Sequence, residues 1–312
     1  MKGLAQFVMR GRLQAFAIAV GGAGSLLFCW ISAAVIALVT LRKGAAEGAW
    51  LFAWAVLPAG TLLYVFGDSG PLALLVGTLV LALVLRETMS PALTLLVSVA
   101  LGLLVGLLLL AMGGPYLQQL VDVFGQFLQS LEQGAPEGSE PLVLPRPTVT
   151  QVAGMLGSGT AVLSVLSLLL GRYWQASLYN PGGFGEEFRS LRYPAGIATL
   201  LVAAALGVGA MGSDYRTWAM IFVIPLSFAG LALVHARAAA RGQGGWLVWF
   251  YIAWVLLDPV KLAVVMFAVI DSWVDFRQRW ALAAGDNTSA QKEREALRDG
   301  SDEDDEDPDT RS

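Results

Sequence analysis

The stretch PALTLLVSVALGLLVGLLLLAMG, residues 91–113, contains no charged side chain, and its only polar side chains are the hydroxyls of Thr94 and Ser98. A helix of about 20 apolar residues covers the roughly 30 Å hydrocarbon core of a bilayer. Lipid cannot hydrogen-bond to exposed backbone groups, so such a segment crosses the membrane as a helix. Residues 91–113 therefore predict a transmembrane helix and indicate the class of the whole chain.

Apolar runs of this kind recur along the 312 residues, of which 56% are hydrophobic and 14% charged. Soluble domains contain about 25% charged residues, so this composition indicates a membrane protein. The first and last runs are longer than one crossing, and each can be a pair of short helices. We predict an all-α, polytopic transmembrane helical bundle with roughly eight to ten crossings, some of them short hairpins. The predicted spans are residues 13–41, 50–66, 71–86, 91–113, 152–172, 195–212, 217–235 and 246–274.

The orientation of the spans follows from the basic residues, because Lys and Arg in short loops stay on the cytoplasmic side. Basic residues flank the first run at both ends, so residues 13–41 are predicted to form a hairpin that turns near residues 21–24. We therefore predict a multi-pass protein of the inner (plasma) membrane, with both termini in the cytoplasm. The remaining assignments alternate, with Asp68, residues 114–151 and Asp214 outside, and Arg86, residues 172–194 and Arg237 inside.

The predicted outer loop contains YLQQLVDVFGQFLQSLEQ, residues 116–133, in which apolar side chains recur at helical spacing. This pattern predicts an amphipathic helix. The stretch has no Lys or Arg to attract anionic lipid. We favour a helix that lies in the outer membrane interface; a lid across the mouth of a cavity is the alternative.

Small side chains recur four residues apart at Ala15/Ala19, Ala17/Gly21 and Gly102/Gly106. This spacing lets helix backbones approach closely in lipid. Packing within the chain is the ordinary interpretation of the motif. Docking of another membrane subunit onto one of these faces is the alternative.

Motifs that carry chemistry are missing from the sequence. One cysteine and one histidine exclude a zinc site built from these ligands. Residues 207–212 fit the dinucleotide pattern G-x-G-x-x-G but end an apolar helix and follow no strand, so we reject them. The only acids inside the predicted spans are Asp258 and Asp271. We therefore expect no enzymatic activity, no catalytic residues, no cofactor, no metal and no nucleic-acid partner.

The predicted cytoplasmic loop begins with RYWQASLYNPGGFGEEFRSLR, residues 172–192, which is rich in aromatic and paired charged side chains. The turn-forming residues 180–183 precede a predicted short surface helix over residues 186–192. Aromatic side chains here suit the headgroup region of the membrane. A partner-binding loop is the alternative, and its candidate residues are Arg172, Trp174, Asn180, Glu187 and Arg189.

Residues 172–192, together with DSWVDFRQR at 271–279 and TLRKG at 40–44, resemble the YybS-like family of bacterial multi-pass membrane proteins, whose function is unknown. That family is distantly similar to the S components of energy-coupling-factor vitamin transporters. The resemblance covers nearly all of the membrane domain, residues 1–280. It implies an outward-facing pocket for a small solute and a small-residue face for a transmembrane coupling subunit with its ATPases. The matching face would include Ala15, Ala19 and Gly21.

The run YIAWVLLDPVKLAVV, residues 251–265, places Asp258 and Lys261 inside an apolar segment. In one straight helix these charges would lie at the bilayer centre, at a cost of about 2.5–3.5 kcal/mol each. A turn at Pro259 avoids this cost and leaves arms of roughly 18 and 22 Å. We favour the turn, with the pair near the tip of the 13–41 hairpin and under the 116–133 helix. Asp258 and Lys261 are then the candidate contacts for a small solute, and a solvated turn without ligand is the alternative.

Residues 281–312 contain no apolar run, and more than half of the 24 acidic residues lie after residue 270. Such a segment cannot bury enough surface to fold, so we predict a disordered acidic tail. Two functions stay open. One is a substrate-binding or transport subunit for a small solute. The other is a non-transporting membrane scaffold or assembly protein that acts through the cytoplasmic loop and the tail.

Overall fold

A computed structural model describes residues 2–134, 145–242, 244–280 and 282, and within these ranges the chain is helical with no strand. The predicted all-α class is therefore confirmed. Apart from residue 282, the predicted acidic tail lies outside the described residues. The helices are α1 (Lys2–Met9), α2 (Arg12–Ala23), α3 (Cys29–Lys43), α4 (Ala45–Phe66), α5 (Gly70–Thr88), α6 (Pro91–Met112), α7 (Gly114–Gln133), α8 (Val149–Tyr179), α9 (Gly183–Ser190), α10 (Ala195–Gly209), α11 (Arg216–Ala240), α12 (Trp246–Leu256) and α13 (Asp258–Val274).

Five helices in the described ranges are long and apolar enough to cross a bilayer, namely α4, α5, α6, α8, and α11 with the short 3₁₀ turn before it. Two bent pairs meet the same criterion together, α9 with α10 at 71° and α12 with α13 at 111°. Counting each bent pair as one span gives at most 7 spans, fewer than the roughly eight to ten predicted. The main reason is that α2 and α3, with 12 and 15 residues, are too short to count as crossings.

The N-terminal half is built around α3. Every residue from Ser32 to Thr40 is buried, and α2, α4, α5 and α8 pack around this segment. The chain reverses between α2 and α3 through residues 24–28, and the two helices pack together. The predicted hairpin over residues 13–41 is confirmed, with its turn a few residues later than expected.

The crossing of α6 and α8 is closely packed because glycines meet there. A Cβ atom on Gly157 would lie 2.5 Å from the carbonyl oxygen of Gly102 and 3.2 Å from the amide nitrogen of Gly106. Such distances leave no room for a side chain between the two backbones. The Gly102/Gly106 motif therefore serves packing within the chain, as its ordinary interpretation predicted.

Polar groups from distant segments meet at two opposite ends of the bundle. At the acidic end, the Tyr116 hydroxyl donates to Asp68 at 3.1 Å and the Gln151 amide donates to Asp214 at 3.3 Å. The arginine-rich end holds Arg42, Arg86, Arg172 and Arg192. The structure thus groups these residues as the predicted alternation of loops requires. The positive-inside rule predicts that the arginine-rich end faces the cytoplasm.

The helix pair α12 and α13 is sharply bent rather than straight. Leu257, between the two helices, has extended backbone angles. Near the start of the pair, Tyr251 lies 2.8 Å from His235, close to the end of α11. Beyond α13, Arg277 donates to the Leu191 carbonyl at 2.7 Å. Both outer ends therefore lie at the arginine-rich end, so the predicted turn is confirmed and the straight-helix alternative is wrong.

The predicted amphipathic helix over residues 116–133 is confirmed, because these residues lie within α7. Its first turns pack on α6 and α8, and Leu117 is fully buried. Further along, Phe124, Phe127 and Leu131 are exposed, so the apolar face is open. No α7 residue lines the pockets described below. This geometry favours a helix in the membrane interface over a lid.

We expect the docking of α7 to weaken at alkaline pH. Burial, followed by the charge and hydrogen bond of Asp68, raises the pKa of Tyr116 from its ordinary value of 10.0 to about 12. The folded protein therefore holds this proton more tightly than the unfolded chain. The stability is present in full below pH 10.0 and is lost as the pH rises to about 12. Proteolysis of α7 as a function of pH measures the effect, and Tyr116→Phe should remove this pH dependence.

Candidate functional site

The arginine-rich end contains a polar pocket of about 360 Å³ where the ends of α3 and α5 meet the last turns of α8 and the short helix α9. Two guanidinium groups, two carboxylates and one amide line it. This volume lies within the range of small-molecule binding sites. The residues that supply these groups are Arg86, Glu87, Arg172, Gln175 and Glu187.

The length of α8 brings two of these side chains to the pocket. Its 31 residues span about 46 Å, more than the hydrocarbon core of a bilayer. Residues 172–179 are therefore the last turns of a helix, which corrects the predicted loop over 172–194. The chain reverses after Pro181, where Gly182 takes a positive φ of 92° that few other residues tolerate. The short helix α9 follows, close to the predicted surface helix.

The Arg172 guanidinium and the Glu187 carboxylate form an ion pair of 2.6 Å, with 17% and 24% of their side chains exposed. A second Arg172 nitrogen donates to the amide oxygen of Gln175 at 3.3 Å. The pair joins α8 to α9. Because both groups are partly shielded from water, their hydrogen bonds are stronger than those of fully exposed pairs.

The opposite wall is fixed by contacts with the end of α3. Arg86 donates to the carbonyl oxygens of Thr40 at 3.2 Å and Leu41 at 2.9 Å. Gln175 donates to the same Leu41 carbonyl at 3.4 Å. The last carbonyls of a helix have no partner within the helix and carry partial negative charge, so these donors stabilise it. Side chains from α5 and α8 thus hold α3 at the pocket.

A narrow apolar crevice adjoins the polar pocket and shares Leu85, Arg172 and Glu187 with it. Its free volume is about 30 Å³. The hydroxyl of Thr94, on its wall, donates to the Ser90 carbonyl at 2.9 Å and so is already satisfied. The other walls are aliphatic and aromatic, including Val165, Leu168, Phe184 and Phe188.

The structure separates the residues predicted in the 172–192 stretch. Arg172 and Glu187 meet in the polar pocket. Asn180 caps the end of α8, and Arg189 lines neither the polar pocket nor the apolar crevice. Trp174 is 1% exposed and belongs to the apolar cluster that includes α1. It is therefore available neither to the headgroup region nor to a partner. The reason is that α1 covers this face of α8.

The predicted small-residue face for a coupling subunit also needs correction. Ala15 and Ala19 are buried by the packing of α2 on α3 and α4, so they cannot contact another protein. Ala17 and Gly21 lie on the opposite side of α2 and are exposed. Only the second of the two predicted pairs is therefore open to a partner.

Asp258 and Lys261 form an ion pair of 2.8 Å at the start of α13, and their side chains are 92% and 45% exposed. Neither residue lines the pockets described above. The packing partners of α13 are α10, α11 and α12, whereas α2 packs on α1, α3 and α4, and α7 packs on α6 and α8. The expected position near the 13–41 tip and under the 116–133 helix is therefore not observed. The sequence does not show on which side of the bundle α13 packs.

The sequence did not identify Arg86, Glu87 and Gln175 as site residues. Arg86 served only to orient the spans, although it ends an apolar run on the same predicted side as Arg172. A search for charged residues that lie on the predicted cytoplasmic side of different spans would have identified Arg86. Nothing comparable marks Gln175, because its role depends on the continuation of α8 beyond the membrane.

In the part of the chain that the structure describes, no three His, Cys, Asp or Glu side chains converge in an arrangement that could hold a metal ion. Comparison with family models, with curated proteins and with solved structures returned no match. The resemblance to the YybS-like family therefore stays an expectation from the sequence. What supports a function is the geometry of the pocket.

Proposed function

We propose that the chain binds a small polar solute at its arginine-rich end, as the substrate-binding subunit of a membrane transport system. The observation that supports this proposal is the pocket of about 360 Å³ with its guanidinium, carboxylate and amide lining. Charge-assisted hydrogen bonds from such groups are short and directional, so they can select a solute by its charge pattern. The pocket replaces Asp258 and Lys261 as the candidate solute contact.

The proposed side of binding differs from the one implied by the family resemblance. S components present an outward-facing pocket, whereas this pocket lies at the end that the positive-inside rule assigns to the cytoplasm. The proposal therefore has the solute exchange with the cytoplasmic side. A coupling subunit with ATPases would be the partner, and Ala17 and Gly21 of α2 are the exposed small residues that it could contact.

A membrane scaffold is the second candidate function. It is favoured by Tyr173 and Tyr179, whose side chains are exposed on the last turns of α8. Exposed tyrosines are common contacts at protein interfaces, because they combine a large apolar surface with a hydroxyl. In this case Arg172 and Glu187 would only fasten α9 to the bundle.

Replacement of Arg172 by glutamine distinguishes the solute-binding function from the scaffold function. We expect the full chain, purified in a mild detergent, to carry a small molecule that native mass spectrometry detects. A hydrogen bond to a charged group contributes about 1.5–3 kcal/mol, so occupancy should fall at least about tenfold in Arg172→Gln. Arg189→Gln removes the same charge outside the pocket and should retain the molecule.

Two outcomes would contradict the solute-binding proposal. One is equal occupancy in the Arg172 and Arg189 variants. The other is a wild-type protein that carries no small molecule and shows no change in melting temperature with a panel of charged solutes. The scaffold role would then be tested by Tyr173→Ala, with loss of a copurifying protein as the expected result.

A further inference from the structure

The arginine-rich end also carries basic side chains outside the polar pocket. We infer that the surface between α1 and the last turn of α8 binds the phosphate of an anionic phospholipid, with Arg10 and Arg42 as its contacts. The surface forms an open hollow of about 450 Å³, lined by Gln6, Met9, Arg10, Leu178 and Tyr179. The hollow shares no residue with the polar pocket, so its ligand is independent of the proposed solute.

The hollow lies at the depth of the lipid headgroups. The helix α8 is longer than the hydrocarbon core is thick, so its last turns extend into the headgroup region. The amphipathic helix α1 packs against these turns, with Ala5 and Val8 buried in the same apolar cluster as Trp174. Phe7, on another side of α1, is exposed. A short amphipathic helix in this position is typical of the membrane interface, where phosphate groups are found.

An aromatic ring orients Arg42 beside the hollow. The central guanidinium carbon lies over the ring of Tyr179, 3.9 Å from its centre, a distance typical of stacked planes. Stacking occupies the flat face of a guanidinium group and leaves the N–H groups at its edge free. These N–H groups can bind two oxygens of one phosphate. Tyr179 itself lines the hollow, so Arg42 and Arg10 can approach the same phosphate.

The basic side chains around the hollow have no carboxylate partners. Arg10, Arg42 and Lys43 are exposed, and none of them forms an ion pair in the part of the chain that the structure describes. Glu47, in the first turn of α4, is bound by Arg12, whose Nε donates to it at 3.0 Å. Unpaired positive charges at a membrane surface attract anionic lipid. None of the described residues that line the hollow is acidic, so the ammonium group of a zwitterionic lipid has no partner there.

The charge pattern therefore favours phosphatidylglycerol over phosphatidylethanolamine, which share the phosphate but differ in net charge. Native mass spectrometry of the full chain in detergent, titrated with both lipids in equal amounts and with the same acyl chains, measures the preference. We expect phosphatidylglycerol to bind at least about tenfold more tightly, because each basic side chain near an anionic headgroup contributes about fivefold.

Matched substitutions locate the preference in the hollow. Arg42→Gln should lower the affinity for phosphatidylglycerol about fivefold, and Arg10→Gln should do the same. Arg241→Gln removes an exposed arginine at the end of α11, outside the hollow, and should retain the preference. Retained melting temperatures would exclude unfolding as the cause. Equal binding of the two lipids by the natural protein, or equal losses in all three variants, would overturn the site.

Two further substitutions separate a built site from general surface charge. Arg42→Lys keeps the charge but loses the planar guanidinium, so it should weaken phosphatidylglycerol binding nearly as much as Arg42→Gln. Tyr179→Phe keeps the ring and should bind as the natural protein does, whereas Tyr179→Ala should weaken binding. If Arg42→Lys and Tyr179→Ala both bind as the natural protein does, the basic side chains attract lipid only by their charge and the site is overturned.

Other occupants of the hollow give different results. Displacement of phosphatidylglycerol by millimolar glycerol 3-phosphate would identify a site for a soluble phosphate instead of a lipid. Residues 302–309 contain seven acids and no base, so this segment of the chain could also pair with the basic side chains. If only a full chain with these acids replaced by their amides prefers phosphatidylglycerol, the acidic segment is the natural occupant. Either result overturns the lipid site and leaves the polar pocket and its Arg172→Gln test unaffected.

Discussion

Replacing Gly157 with leucine is expected to prevent α6 and α8 from packing and to destabilise the membrane domain by about 3 kcal/mol, at the upper end of overpacking effects. The first side-chain carbon would lie 2.5 Å from the Gly102 carbonyl oxygen, and its other near neighbours are backbone atoms of Gly106. Backbone atoms cannot rotate away as a flexible side chain can. Thermal or denaturant-induced unfolding in detergent measures this loss of stability.

Gly159→Leu is the matched control for this prediction. It lies two residues further along α8, and an added Cβ there would meet nothing within 4 Å. Leucine also has a higher helix propensity than glycine. The control should therefore unfold at or above the temperature of the natural protein. Equal destabilisation by the two variants would show that the glycine contact is not what holds α6 and α8 together.

Replacing Asp271 with asparagine is expected to cost about 3 kcal/mol, because it leaves the partly buried Arg277 without its counter-ion, whereas Arg192 keeps its pair with Asp275. The Asp271 side chain is 2% exposed and lies 3.6 Å from the Arg277 guanidinium and 3.9 Å from that of Arg192. Its carboxylate also accepts the Phe276 backbone N–H at 3.0 Å, which asparagine can still do. The substitution therefore tests the charge with little change in shape.

We expect Asp271→Asn to destabilise the end of α13 locally as well as the whole protein. Arg192 and Arg277 fasten the end of α13 to the connection between α9 and α10, so hydrogen exchange over residues 258–280 should accelerate. Asp258→Asn makes the same change in the exposed ion pair at the other end of α13. Water screens an exposed ion pair such as this one, so this variant should unfold almost as the natural protein does. A comparable loss in both variants would argue against a stabilising role for the Asp271 charge.

The charge cluster and the candidate site are neighbours in the fold. The short helix α9 and the residues that follow it are held from two sides, by the ion pair of Glu187 with Arg172 and by the bond from Arg277 to Leu191. The Asp271 variant therefore offers a second readout. If α9 forms one wall of a binding site, loosening this anchor should also weaken solute binding.

The class of the protein could be predicted from the sequence because the rules that set it are local. In lipid, a single apolar segment can satisfy its backbone hydrogen bonds only as a helix. Uninterrupted apolar runs therefore predicted α4, α5, α6, α8 and α11. Turn residues and flanking charges predicted the two hairpins, at residues 13–41 and at Pro259. Helical spacing of apolar side chains predicted α7. Each of these conclusions needs only the residues of one segment.

The site could not be predicted in the same way, because it depends on how the helices are rotated and which of them are neighbours. Arg86 is distant in the chain from Arg172 and Glu187, and the three line one pocket only because α5, α8 and α9 pack at the same corner. Packing elsewhere in the bundle buries Ala19 and Trp174, two residues that the sequence marked for partners. An apolar pattern indicates that a helix is in the membrane, but lipid and protein are almost equally apolar surroundings. Which face of each helix turns inward is therefore decided by close contacts between segments, such as those of Gly157 with α6, and only the tertiary structure shows them.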